Sequence, residues 1–282
     1  MMRSSLVLAA LSTISMLGCA ARHQNSGSDD GTAAAGDDAA QVESDSESFG
    51  SMFASSDGSG NLAPSSFSGG DLSTEGLPAA NNFPNLYPAG CVTETQDAPS
   101  QTNTYVFDNC TGPWGFVHLN GTVTVQWQIV SATELKLTYA ATNFEINKAT
   151  IAQWNATADI TASGNDRDMV WHGQFSGTTG GGRDFSRVND KDIKWTVGEG
   201  CISIDGQSTG SVTGKNLTTK VITYKRCVAE CPEAASEIDI HNDDNGNDVD
   251  VKFEGGAKAD VTFTNGSNGN TLSLDIALAC GG

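Results

Sequence analysis

From Cys91 onward, apolar and polar residues alternate almost one by one. Val117, Leu119, Val123, Val125, Trp127 and Ile129 share one face, while Thr122, Thr124, Gln126 and Gln128 share the other. That period is the mark of a half-buried antiparallel strand. Asn120-Gly121 interrupts it and leaves two readings open. The pair is a strong hairpin signal, yet the alternation passes through Gly121 in phase, as in a long strand with a bulge. After a turn at Ser131–Glu134, Leu135, Leu137, Tyr139 and Ala141 continue the pattern. The phase then slips to Phe144 and Ile146, which predicts a bulge near Thr142–Asn143.

Trp154, Ala156, Ala158, Ile160 and Ala162 form the next apolar face, followed by Met169, Trp171, Gly173 and Phe175. A loop is expected from about Thr178 to Asp190. Ile193, Trp195 and Val197 mark a further strand. Ile202 with Ile204, then Val212, then Ile222 with Tyr224 mark three more. Two hairpin-like units close the chain: Ile238 and Ile240 against Val249, Val251 and Phe253, then Val261 and Phe263 against Leu272, Leu274, Ile276 and Leu278. No window carries a helical period. Ten or more strands with short turns predict one all-β domain over residues 89–282, of about 190 residues, enough for a real core. The expected form is a curved antiparallel meander closing into a sandwich, barrel or half-open clam. A transmembrane barrel also alternates, but its strands repeat more evenly and cysteines are foreign to it.

Upstream the pattern vanishes. Residues 19–88 are rich in Ser, Gly, Ala and Asp, with ten acidic residues between 20 and 88 and one basic, Arg22. Without a periodic apolar face, such a segment cannot offset its conformational entropy and reads as a solvated tether. The first eighteen residues differ again. Arg3 precedes an apolar run of twelve, Leu6 to Leu17. That length suits a secretory signal and is too short to span a bilayer. Its end, Met16-Leu17-Gly18-Cys19, resembles the lipobox of bacterial lipoproteins. Gly18 and Cys19 match, while Met16 and Leu17 depart from the usual Leu then Ala or Ser. The resemblance implies cleavage before Cys19, acyl chains such as palmitate on that cysteine, and anchoring to a membrane. Ala20 stands where an aspartate would retain such a protein at the inner membrane. The outer membrane is therefore expected, at its periplasmic face or the cell surface.

Charge narrows the partners. The chain carries 15 basic and 34 acidic residues, net −19. That is the wrong sign for nucleic acid, and anionic lipid would repel it, which leaves the lipid anchor to hold it at the membrane. With Cys19 acylated, six cysteines remain, an even number that reads as three disulfides in an exported chain. Closeness along the chain and hairpin geometry favour Cys91–Cys110, Cys201–Cys227 and Cys231–Cys280. A zinc site from the last four is the rival, for which Cys227 and Cys231 supply only one close pair.

Four features offer candidate chemistry. Gly206-Gln207-Ser208-Thr209-Gly210 matches G-x-S-x-G, but the hydrolase elbow needs a following helix and a later histidine. Ser211–Lys220 reads as turn and strand, and His241 is the one later histidine. Asp243, Asp244, Asp248 and Asp250 crowd a loop with His241, and their oxygens suit a weak Ca²⁺ site, although the EF-hand order fails. Trp127, Trp154, Trp171 and Trp195 lie on apolar faces, as core or as the wall of a ligand pocket. The stretch Ser176–Asp192, with Gly180-Gly181-Gly182, Arg183, Arg187 and Lys191, reads as a hairpin loop. As the most basic patch it is the expected partner surface. No nucleophile, base and orienter combine, so catalytic residues and cofactors are not expected. The expected function is a lipid-anchored, non-enzymatic envelope protein with a binding or structural role. A carrier of an apolar ligand within the β domain is the alternative. Its partner would be a protein, a polysaccharide or a lipid.

Overall fold

The structure is a computed structural model that describes residues 86–278, apart from 112–117, 147, 197–198, 200 and 228–229. The signal segment, Cys19, the tether up to residue 85, Val117, Val197 and Cys280 lie outside these residues. Among the described residues there is no helix, and thirteen strands form one antiparallel sheet in sequence order. They are β1 (Val92–Asp97), β2 (Thr102–Thr111), β3 (His118–Ser131), β4 (Glu134–Ile146), β5 (Ala149–Ser163), β6 (Asp166–Thr178) and β7 (Asp184–Thr196). Then come β8 (Cys201–Val212), β9 (Lys215–Cys227), β10 (Glu237–Asn242), β11 (Asp248–Gly256), β12 (Lys258–Thr264) and β13 (Thr271–Ala277). The chain joins the sheet slightly before residue 89: Leu86 is buried, and Tyr87 bridges Thr111.

A lone sheet has no second layer to cover its apolar face, so it buries that face by curving onto itself. The side chains record the curvature. In a flat sheet, strands two apart stand roughly 9–10 Å from each other. Here Tyr139 of β4 meets Trp171 of β6 at 5.2 Å between ring centroids, and Phe107 of β2 meets Phe144 of β4 at 5.7 Å. Tyr224 of β9 likewise meets Phe253 of β11 at 5.7 Å. The buried apolar residues form one continuous cluster on this inner face, while the outer face is largely Thr, Gln, Asp and Lys, and Leu272 and Leu274 of β13 remain exposed. A membrane barrel has the reverse arrangement.

The alternation fixes most of the register. Val123, Val125, Leu137, Tyr139, Ala158 and Ile160 all point inward and are buried. Asn120-Gly121 lies inside β3, which resolves its two readings in favour of the bulged strand. Gly121 has φ +112°, and a Cβ there would stand 3.1 Å from the Phe144 Cα. The bulge expected at Thr142–Asn143 is present, with Asn143 at φ +54°. Both closing hairpins pair as expected, Ile238 with Val251 and Val261 with Leu274.

Two expectations need correction, for one reason. The loop expected over Thr178–Asp190, and the basic surface placed at Ser176–Asp192, are largely strand. β7 starts at Asp184, and its inward face reads Phe185, Arg187, Asn189, Lys191, Ile193 and Trp195. Arg187 and Lys191, offered as a partner surface, are 0 % and 3 % exposed. Likewise the three strands expected between Ile202 and Tyr224 are two. β8 is continuous, although its inward positions between Ile204 and Val212 are Gly206, Ser208 and Gly210, which carry no apolar signal. In β9 the inward residues are Leu217, Thr219, Val221, Tyr224 and Arg226. Ile222 faces outward because Thr223, at φ +46°, breaks the phase.

These substitutions are matched across the ladder. Arg187 stands opposite Gly210, and Lys191 opposite Gly206. Small neighbours make room for long side chains, as Ala141 does for Trp154 and Ala158 for Trp171. The Arg187 guanidinium reaches over β8 to β9. Its Nη1 donates to the Leu217 carbonyl at 2.7 Å, and its Nη2 donates to Thr219 Oγ1 at 2.9 Å and the Ser208 carbonyl at 3.3 Å. The buried cation thereby ties three strands together.

Candidate end cleft

The sheet has two ends. Leu86 and Tyr87 enter at the end holding Thr111, the β6–β7 loop and the β8–β9 turn. At the opposite end, β5 turns into β6, β7 stops, β8 begins and β9 finishes. There the strand ends line an open cleft of about 540 Å³. The Cys201–Cys227 disulfide, with Cα atoms 3.9 Å apart, fixes β8 to β9 at its rim.

The cleft is built from one inward row and its outward neighbours. In register across the sheet, the row runs Ala162, Arg167, Trp195 and Ile202, and it continues to Arg226, which does not line the cleft. Arg167 is buried and donates from Nη1 to the carbonyls of Gly164 and Asp166 at 2.8 and 2.9 Å, which locks the β5–β6 turn. Trp195 is half-buried and lines the opening together with Ile202. Arg226 stands across from Ile202 and is 3 % exposed, and its Nη1 has no hydrogen-bond partner among the described residues. Burial pulls its pKa below the ordinary arginine value, against a smaller opposing effect of Tyr224. On the rim, Lys194 pairs with Asp168 at 3.6 Å and Lys225 with Glu233 at 2.9 Å. The hydrogen bond and charge of Glu233 hold the Lys225 ammonium above its usual pKa. Thr196 donates to Asp166 at 2.8 Å, and Glu199 completes the acidic set.

The four tryptophans divide. Trp154 and Trp171 are buried and pack with Tyr139, at ring separations of 5.2 to 6.1 Å. The Trp171 indole donates to Asn189 Oδ1 at 3.1 Å. Both rings belong to the buried core. Trp127 is half-buried against the same core, and Trp195 alone of the four lines the cleft.

The Gly206–Gly210 motif is a stretch of β8 followed by a turn and β9, with no helix. Ser208 points to the interior and is fully buried, whereas His241 lies on the outer face of β10. A serine and a histidine on opposite faces of one sheet cannot exchange a proton. Of the residues considered for Ca²⁺, Asp244 accepts from the Asn216 backbone and side-chain amides at 2.9 and 3.0 Å, which lowers its pKa. Asp243 accepts from the Thr218 hydroxyl, and Asp248 contacts His241. Only Asp250 joins a carboxylate group, with Glu237 and Asp239, whose oxygens lie within 4.8 Å of one another. Glu237 also pairs with Lys252 at 3.2 Å. Burial first, then the charges of Glu237 and Asp250, push the Asp239 pKa up to about 6.

The expected disulfides Cys91–Cys110 and Cys201–Cys227 are present. Cys231 is also disulfide-bonded, and its expected partner Cys280 lies outside the described residues. Sequence reasoning missed Arg167, Lys194, Glu199 and Lys225 as cleft residues. A signal existed for Arg167: it stands two residues before Met169, in the apolar phase of β6. Comparison with protein-family models, with curated proteins and with solved structures gave no match.

Proposed function

We propose that this chain is an exported, lipid-anchored envelope protein with a non-enzymatic binding role. In this reading Cys19 carries the anchor in the outer membrane, the acidic segment to residue 88 spaces the domain from it, and the β domain binds through its end cleft. The observation that carries export is the state of the cysteines. All five among the described residues are disulfide-bonded, as expected of an oxidising compartment and not of a cytosol. Binding, as opposed to catalysis, is supported by the separation of Ser208 from His241 and by a cleft whose lysines are engaged in ion pairs.

The test is fractionation of native cells with mass spectrometry of the mature N-terminus. The expected result is an acylated Cys19 as first residue in the outer-membrane fraction, and release of Cys19→Ser protein from the membrane. A chain that keeps Met1 and stays in the cytosol would overturn the reading. Native mass spectrometry of protein from its own host addresses binding separately, through the mass of any retained ligand.

A further inference from the structure

We infer that the end cleft is a saccharide site, shaped for one or two rings of a neutral glycan. The inference rests on the binding role proposed above and names its ligand class. The cleft offers two kinds of surface side by side. Trp195, with Ile202 beside it, supplies an apolar platform that is accessible at the opening. Around it stand carboxylates that accept, cationic groups that donate, and the hydroxyls of Thr161, Ser163 and Ser203, which do both. A pyranose ring has the matching form: an apolar C–H face to lay on an indole, and an edge of hydroxyls that each donate and accept.

Charge decides against the other small-molecule classes. Three cationic side chains line the cleft (Arg167, Lys194, Lys225), against three acidic ones (Asp166, Asp168, Glu199). Lys194 is already paired with Asp168, and Lys225 with Glu233. The lining therefore has no net charge with which to hold an anion or a cation, and a chain of net −19 repels polyanions at longer range. An apolar chain would cover the charged rim and leave it without water or partners, which is costly. The volume of about 540 Å³ lies within the usual range for small-ligand sites, roughly 300–1,000 Å³.

Position agrees. The cleft opens at the end of the sheet opposite Leu86 and Tyr87, where the chain enters. Strands of thirteen residues such as β6 and β7 separate the two ends, by roughly 40 Å at about 3.3 Å per residue. The cleft thus stands well apart from Leu86 and Tyr87, where the described chain begins.

The experiment uses the full-length protein in detergent. Binding is followed by tryptophan fluorescence and calorimetry with neutral gluco-, manno-, galacto- and N-acetylglucosamine oligosaccharides, with hexuronate oligomers and with a long-chain fatty acid. Saturable binding of a neutral oligosaccharide is expected, weakened at least tenfold by Trp195→Ala and unchanged by Trp127→Phe, which alters a half-buried ring outside the cleft. Thermal melts check that the variants fold. A rim variant, Glu199→Gln with Lys194→Gln, should weaken binding even if Trp195→Ala does not fold. Binding of hexuronate or fatty acid alone, or neutral-sugar binding indifferent to both variants, would overturn the inference. If no oligosaccharide binds while protein from its own host retains another ligand, the ligand class falls and the binding role stands. If neither binds, both fall.

Discussion

Gly206 and Gly210 carry more of this fold than their size suggests. Both occupy positive φ, at +144° and +142°, on the inner face of β8. A Cβ at Gly210 would fall 2.0 Å from the Ser186 carbonyl oxygen of β7, and one at Gly206 would fall 2.2 Å from that of Asp190. The glycines of an apparent hydrolase motif thus serve close strand approach and room for Arg187 and Lys191. Gly210→Ala should destabilise the domain by about 2–4 kcal/mol, combining a strained backbone with overpacking. Urea unfolding measures this, and a variant within 0.5 kcal/mol of the parent, about the scatter of an ordinary surface change, would remove the role. The same scale shows why part of the sequence was hard to read. Arg187, Asn189 and Lys191 keep the inward phase of β7 but not its apolarity. A hydrophobicity pattern lapses there although the strand does not.

Among the elements, the β10–β11 hairpin was the most legible, since Ile238 and Ile240 announce one face and Val249 and Val251 answer. Its outer face concentrates Glu237, Asp239 and Asp250, which makes it pH-sensitive. Asp239 titrates at about 6 in the fold, against an ordinary value of 3.8. Between these values the folded chain holds a proton that the unfolded chain has released, so stability falls as pH rises from about 4 through 6. Asp239→Asn removes that contribution. The variant should melt higher than the parent at pH 7, and the difference should close as pH approaches 4. Melting curves that run parallel from pH 4 to 7 would show that the repulsion does not act. Less legible were β7 and β8, whose polar and glycine-bearing inner faces were divided into a loop and two short strands.

For the molecule as a whole, the disulfides divide the work by location. Cys91–Cys110 joins the start of the domain to the end of β2, and Cys201–Cys227 closes the cleft end. They span sequence separations of 19 and 26 residues, so each is expected to contribute about 2–4 kcal/mol by restricting the unfolded chain. Replacing either pair by serines should lower stability by that order. Only the Cys201/Cys227 replacement should also weaken ligand binding at the cleft, since it frees β8 from β9 at the rim. Equal loss of binding in both variants would indicate general loosening.

By itself the sequence determined an antiparallel all-β domain, most inward faces of its strands and the two disulfides seen here, because a period-two pattern and paired cysteines are local statements along the chain. Tertiary structure alone decided where polar residues go inside and where a cleft opens. Arg187 can be buried only because Gly210 stands opposite and Thr219 lies within reach two strands away. Arg167, Trp195 and Lys225 come together only once β6, β7 and β9 lie in one curved ladder. Curvature brings together residues far apart in sequence, and no single stretch of the chain encodes their meeting.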